Sequence, residues 1–426
     1  LTSTADRRFA WPIAIVLLGF IVGWATLMSL RLTTDATDVP RYWMYGEAMR
    51  HGQLPYRDFE VEYPPGALIA FGLPALFGAS YRAYRISFEI VMGTCGLGLI
   101  VATALAQARL SRHIVSAPLF VGAATLALGP ITLGHFDLMP AFFVSAGLAA
   151  LLWKRPRLSG ALIGMAIATK IYAVVLVPLA VIWLWRKHGG RQVLQWSAAT
   201  VVVIGVCFLP FVIASPGAVY SSVKGQALRP LQLESSAAVA LLAAHQLISA
   251  PVGIVFSHSS AGLGGTSASL AATATVIAEL VLLALIWITF VLRRELGDRD
   301  LAQSFAAAVL VFVTLGKVFS PQFLLWVVPL VALLGGTLAL AGPAIVAIAV
   351  VLTRLYFPGR WRSVLRQEAT STWLLITRDV VLLALLAWLV ASLVRKPTAT
   401  SPNPQQTSRA TWRSRRRPLS ARAHDA

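Results

Sequence analysis

Between Arg31 and Pro65 lie six of the chain's 17 acids: Asp35, Asp38, Glu47, Asp58, Glu60 and Glu62. They are interleaved with Tyr42, Trp43, Tyr45, Tyr56, Phe59 and Tyr63, in a chain that is 57% hydrophobic and only 12% charged. Carboxylates among rings suit a sugar, because rings stack on the apolar faces of a pyranose while carboxylates accept from its hydroxyls. The same rings suit a membrane interface, where Trp and Tyr collect. Composition leaves both readings open.

Further candidates lie along the chain. Lys170 sits inside an apolar run. A charge at a spanning-helix centre costs about 2.5–3.5 kcal/mol, so Lys170 needs a partner or a wet cavity, and a functional role is expected of it. Lys317 occupies a polar break between apolar runs. "RLYFPGRWRSVLR", from Arg354 to Arg366, brings Arg354, Arg360 and Arg362 close in sequence and suits an anionic group. Arg354 alone could instead snorkel at a span end. His135 and Asp137 either line a site or cap a helix. Asp58 and Glu62 can pair with Arg57 or Arg41, with Pro64-Pro65 fixing the start of the next span. Asp38 can cap a helix, since Asp-x-Pro is a common helix start. No HExxH or phosphate-binding glycine loop is present. Cys95 and Cys207 fall inside apolar runs and read as small core residues. No cofactor is evident, although a divalent metal is not excluded by the lack of a motif.

The elements that must position these residues are membrane spans. Mean hydropathy is +0.74. Apolar runs long enough to cross about 30 Å of hydrocarbon recur at Phe9–Leu30, Val193–Ala214, Leu270–Leu292 and Trp373–Val394. The expected fold is all-α, a polytopic transmembrane helical bundle of about 11–13 spans, with short interfacial helices in its external loops. Phe9–Leu30 lacks a small-residue cleavage site and reads as an uncleaved first span. The bundle is expected over residues 1–394, with external loops at 31–65 and 215–269. Ser236–Phe256 reads as an interfacial helix. Residues 395–426 hold eight of the 36 basic residues and read as a disordered cytoplasmic tail held near anionic lipid, with no nucleic-acid partner.

The basic clusters Lys154–Arg157, Arg186–Arg191 and Arg293–Asp300 should face the cytoplasm of a plasma-membrane protein. Leu158–Trp185 is basic at both ends, so one span cannot satisfy it. The charges predict two short helices meeting at Lys170. Gly66–Gly78 is too short to cross and fits a re-entrant segment.

The order of short motifs carries a resemblance. Asp38 and Tyr42, then Gly52 to Phe59 (G-x-x-P-Y-x-D-F), then Glu62 to Gly66 (EYPPG), resemble the first external loop of GT-C glycosyltransferases. The closest pattern is glycosyltransferase family 87, actinobacterial alpha-mannosyltransferases. "GHFD" at Gly134–Asp137 and "SGALIGMAIATKIY" at Ser159–Tyr172 continue it. So do "LRPLQLESS" at Leu228–Ser236 and "GKVFSPQFLLW" at Gly316–Trp326.

That resemblance implies a polyprenyl-phosphate sugar donor, a lipid or glycan acceptor, and chemistry on the extracytoplasmic side. It implies an acid of the first external loop as base: Asp38 by position, with Asp35 the runner-up. The base would take the proton of an acceptor hydroxyl as that hydroxyl attacks the anomeric carbon, inverting it. The leaving phosphate would need positive charge, for which Lys170, Lys317, Arg229, Arg354, Arg360 and Arg362 are candidates. Tyr42, Asp58, Glu62, Tyr63, His135, Asp137, Glu234 and Gln322 fall in the matching motifs as substrate-binding candidates. Two other classes remain open: a transporter or flippase of a lipid-linked sugar or other anion, and a non-catalytic assembly protein. A transporter should carry its coupling acids in spans near the midplane.

Overall fold

A computed structural model describes residues 4–30, 37–78, 80–111, 114–257 and 260–395. The chain opens on α1 (Thr4–Ser29) and α2 (Val39–Arg50). A 3-10 turn (Pro65–Ala67) leads into α3 (Leu68–Ala75), then α4 (Tyr81–Leu110). α5 (Ser116–Leu128), α6 (Pro130–Gly134), α7 (Leu138–Leu152) and α8 (Pro156–Thr169) follow. A second 3-10 segment (Ile171–Leu176) runs into α9 (Val177–His188), and α10 (Gly190–Ala214) follows it. The next connection holds α11 (Pro216–Ala227), β1 (Leu231–Gln232), α12 (Ser236–Ile248), β2 (Gly253–Ser257) and β3 (Ser260–Gly264). The last part is α13 (Thr266–Leu292), α14 (Asp298–Leu315), a 3-10 turn (Pro321–Phe323), α15 (Leu324–Val331), α16 (Leu338–Tyr356), α17 (Trp361–Leu365) and α18 (Ala369–Val394).

The chain is a polytopic helical membrane protein. Among the described residues seven helices are long and apolar enough to cross a bilayer, including Tyr81–Leu110, Thr266–Leu292 and Ala369–Val394. This is fewer than the expected spans. The difference lies in α5, α7, α8, α14 and α15, which are short or begin on charged residues, as α14 does with Asp298-Arg299-Asp300. All eight residues of α15 are buried. Helices apolar all round belong inside the bundle, where neighbours and not lipid set their length.

Two ends can be distinguished by their contacts. At one end Arg299 donates to the Leu110 carbonyl, Arg186 to those of Arg293 and Arg294, and Arg293 to that of Leu393. Trp153 donates to Leu105 nearby. The three basic turns of the sequence therefore meet at one end. At the other end the 37–39 segment, the α6–α7 turn, the α8–Ile171 break and the loop after α14 converge. α3 stays at this second end, where the Tyr84 hydroxyl donates to the Phe71 carbonyl. It does not cross, as the shortness of Gly66–Gly78 predicted.

The expected break at Lys170 is present. Lys170 is extended (φ −157°, ψ 122°) between α8 and the 3-10 segment. α8 and α10 pack closely because Gly160 and Gly164 lie on their interface. A Cβ at Gly160 would stand 2.2 Å from the Trp196 carbonyl oxygen. Small residues let backbones approach in this way inside membranes.

The all-α expectation misses one feature. β1, β3 and β2 form a three-stranded antiparallel sheet in that order, pairing Leu231 with Leu263 and Ile254 with Leu263. The helix expected over Ser236–Phe256 ends at Ile248, where Ser249 turns left-handed (φ 55°). The remainder becomes β2, whose branched and aromatic residues suit a strand.

Candidate active site

Asp38 stands immediately before α2. Its backbone N–H donates to the Gly134 carbonyl at 3.2 Å, and the Thr37 hydroxyl donates to the same oxygen at 3.3 Å. A Cβ at Gly134 would meet Thr37 Oγ1 at 2.8 Å, so glycine permits this contact. The Asp38 side chain makes no helix-capping bond; Thr37 Oγ1 accepts from Val39 N instead, at 3.3 Å. The carboxylate thus leaves the first N–H groups of the helix alone.

It is turned toward a ring cluster. The hydroxyls of Tyr42 and Tyr63 donate to Asp38 Oδ2 at 3.2 and 3.3 Å. Burial raises both phenols well above their ordinary range, helped by Tyr63 and Asp38 for Tyr42, and by Asp38 for Tyr63. They therefore stay protonated and act as donors. His135 Nε2 lies 3.9 Å from Asp38 Oδ2, while its Nδ1–H donates to the Ile131 carbonyl at 2.8 Å. In neutral imidazole Nε2 is then the lone-pair nitrogen. Tyr42 stacks on Phe71 at 4.5 Å, and Tyr63 meets Phe136 edge-on at 5.2 Å. Asp38 keeps 30% of its side chain exposed, beside a half-buried Tyr63 and above the buried Tyr42 and Phe136.

Phe136 leads to a second charge. Asp137 Oδ1 accepts from Lys170 Nζ at 2.6 Å, and Asp137 is only 1% exposed. Its Oδ2 is buried without a hydrogen-bond partner. The ammonium lies 4.8, 5.1 and 5.0 Å from the ring centres of Phe136, Phe323 and Trp326. Lys170 thus has the partner that a charge inside an apolar run demands. Gln322 adjoins Phe323 in the 3-10 turn at the same place.

Glu62 forms a third group, one residue from Tyr63. Its Oε2 accepts from Arg41 Nη1 at 2.9 Å and Arg229 Nη2 at 3.4 Å. Gln226 donates to the Glu62 carbonyl at 2.5 Å. Burial alone would pull Arg41 down, but Glu62 and then Asp38 outweigh it and raise it. The pairing of Glu62 with Arg41, and of Asp58 with Arg57 at 2.9 Å, is as the sequence predicted. Asp58 Oδ2 also accepts from Leu54 N at 2.7 Å, and Arg57 with this backbone bond holds the carboxyl down at about 2. It staples its own loop.

The other candidates are more dispersed. Gln232 N donates to the Lys317 carbonyl, and burial lowers the Lys317 ammonium. Glu234 is buried, accepts from the Tyr356 hydroxyl at 2.7 Å, and gives its carbonyl to Arg378 at 2.8 Å. Burial pushes its carboxyl up to about 7. Arg354 donates to the Phe357 carbonyl at 3.1 Å, its guanidinium 3.8 Å from where a Cβ of Gly129 would stand. Gly129 and Gly134 bracket α6, so Arg354 and Asp38 meet opposite ends of a five-residue helix, about 7.5 Å long. Arg360 and Arg362 lie exposed at the start of α17. Asp35 lies outside the described residues, as does the tail beyond Arg395.

Sequence reasoning missed the ring box around Lys170 and the buried ion pair Arg378–Asp379, 2.6 Å apart. Two adjacent charges inside the apolar run Trp373–Val394 were the available signal for that pair. Among the described residues no group of three His, Cys, Asp or Glu comes together to hold a metal. A cavity of about 530 Å³ at the basic end, between Lys154–Leu158 and Gln192, lies away from Asp38.

No curated protein matches the chain. Residues 62–321 match the description of glycosyltransferase family 87. That segment includes Glu62, His135, Asp137, Lys170, Arg229, Glu234 and Lys317, and begins after Asp38. With more than half of its length matched, the chain belongs to glycosyltransferase family 87, a GT-C family that transfers a sugar from a polyprenyl-phosphate donor.

Proposed function

We propose that this chain transfers a mannosyl residue from polyprenyl-phosphate mannose to a lipid or glycan acceptor at the extracytoplasmic face of the plasma membrane. The transfer inverts the anomeric carbon, and Asp38 is the base. The observation that carries this reading is the Asp38 carboxylate. It is partly exposed, held at one oxygen by two permanently protonated phenols, and set over a ring floor. The phenols and the His135 contact all fall on Oδ2; Oδ1 takes no part in them.

The acceptor hydroxyl attacks the anomeric carbon and gives its proton to Asp38. The bond from that carbon to the phosphate oxygen breaks, and the electron pair leaves on the phosphate. One displacement needs no carboxylate nucleophile. The phosphate leaves already ionised, so cations serve it and no acid is required. Of the rings beside Asp38, Tyr63 is partly exposed and available to a sugar face, while Tyr42 and Phe136 are buried beneath it. The positive-inside rule supports the direction, because the basic turns gather at the end opposite Asp38.

Purified wild type and Asp38→Asn, incubated with radiolabelled polyprenyl-phosphate mannose and a membrane lipid extract, test the proposal. Labelled product from wild type alone is expected. Equal product from both would refute Asp38 as base. Product from neither, with donor bound, would refute the sugar or acceptor assigned.

A further inference from the structure

Two arginines from separate elements converge on one oxygen beside the site. Arg41 comes from the first turn of α2, three residues after Asp38. Arg229 comes from the segment that follows α11. Both reach Glu62 Oε2, at 2.9 and 3.4 Å. All three side chains are only partly exposed, at 25%, 16% and 28% for Arg41, Arg229 and Glu62. Two guanidinium groups share this one carboxylate oxygen. Arg229 Nε, moreover, is buried without a hydrogen-bond partner, so this guanidinium has donor capacity that Glu62 does not use. A buried donor left unpaired costs free energy.

Two other cations of this end have partners of their own. Lys170 is neutralised by Asp137 inside its ring box. Arg354 donates to the Phe357 carbonyl.

We infer that Arg41 and Arg229 form the binding site for the donor's phosphate, and that Glu62 occupies the phosphate's place while the site is empty. This rests on the glycosyl-transfer reading above and names the residues that hold the leaving group. Two guanidinium forks pointed at one oxygen match a phosphate, which offers several anionic oxygens to such forks. An internal carboxylate keeps the arginines apart and aimed when no donor is present. The phosphate displaces it and also engages Arg229 Nε. Glu62 adjoins Tyr63, which holds Asp38, so leaving group and base are connected through two consecutive residues.

The test measures binding of sugar-free polyprenyl phosphate to the full-length protein in detergent micelles. Removing the competing charge in Glu62→Gln should tighten binding roughly tenfold, given the strength of like-charge repulsion at such distances. Arg229→Gln and Arg41→Gln should each weaken it by about tenfold or more. Melting temperatures identify any variant that has failed to fold. Glu62→Gln is near-isosteric, and Glu62→Gln combined with Arg229→Gln gives a second reading, in which the tightening should vanish.

Unchanged or weaker binding by folded Glu62→Gln overturns the placeholder role. Unchanged binding by folded Arg41→Gln and Arg229→Gln overturns the phosphate site. A protein inactive toward the mannosyl donor that still shows the Glu62→Gln tightening would sink the sugar assignment and uphold this inference.

Discussion

Replacing Lys170 by methionine tests whether its ammonium supports the site or touches the donor. Asp137 is 1% exposed, and Lys170 is its partner at 2.6 Å. Asp137 Oδ2 already lacks a hydrogen bond. Lys170→Met therefore strands a carboxylate beside Phe136, and breaking a buried pair in this way costs about 3–5 kcal/mol. Asp137→Asn should cost less, because Phe136, Phe323 and Trp326 continue to stabilise the ammonium by about 0.5–2 kcal/mol. The double variant removes both charges and should recover most of the loss, giving a coupling of at least about 2 kcal/mol. Equilibrium unfolding in mixed micelles measures all four proteins. A Lys170→Met cost under about 1 kcal/mol, or costs that simply add, would refute the reasoning. The folded double variant then decides the role. Retained binding of polyprenyl phosphate makes the pair a positioning device, and lost binding makes Lys170 a phosphate ligand.

Asp38→Asn should lower turnover by about 10²–10⁴-fold, the range for loss of a general base, with donor affinity unchanged. Glu234 gives a pH signature. Its carboxyl is raised from 4.5 to about 7 by burial, so the folded protein holds a proton that the unfolded chain releases. That contribution is complete below about 4.5 and is lost as pH rises through about 7, so melting temperature should fall across this window. Glu234→Gln should flatten the fall, and an unchanged profile would show that Glu234 does not set it. Gly66→Ala would place a Cβ 2.6 Å from the Ala168 carbonyl carbon and oxygen. That backbone cannot swing aside as a side chain would, so a loss of about 1–3 kcal/mol is expected in thermal melts.

The membrane-protein class, the positions of the long apolar spans and the break at Lys170 were legible in the sequence. Each follows from a local and severe cost: charge in hydrocarbon is expensive wherever the chain later goes. The ion pairs of Arg41 with Glu62 and of Arg57 with Asp58 were legible too, because all four residues lie in the one polar segment between the first two apolar runs, at most 21 positions apart. The small sheet was not, since β1 is two residues long and depends on a partner strand some thirty positions away.

The chain by itself thus determined which residues carry charge into the membrane and where helices must stop, because those are local solvation costs. Only the tertiary structure decided which charges meet. Lys170 finds Asp137, Arg378 reaches the carbonyl of Glu234, and Arg229 joins Arg41 on Glu62. Each of these pairs spans dozens of residues or more. At such separations the partner is chosen by how helices pack, which no single stretch of sequence encodes.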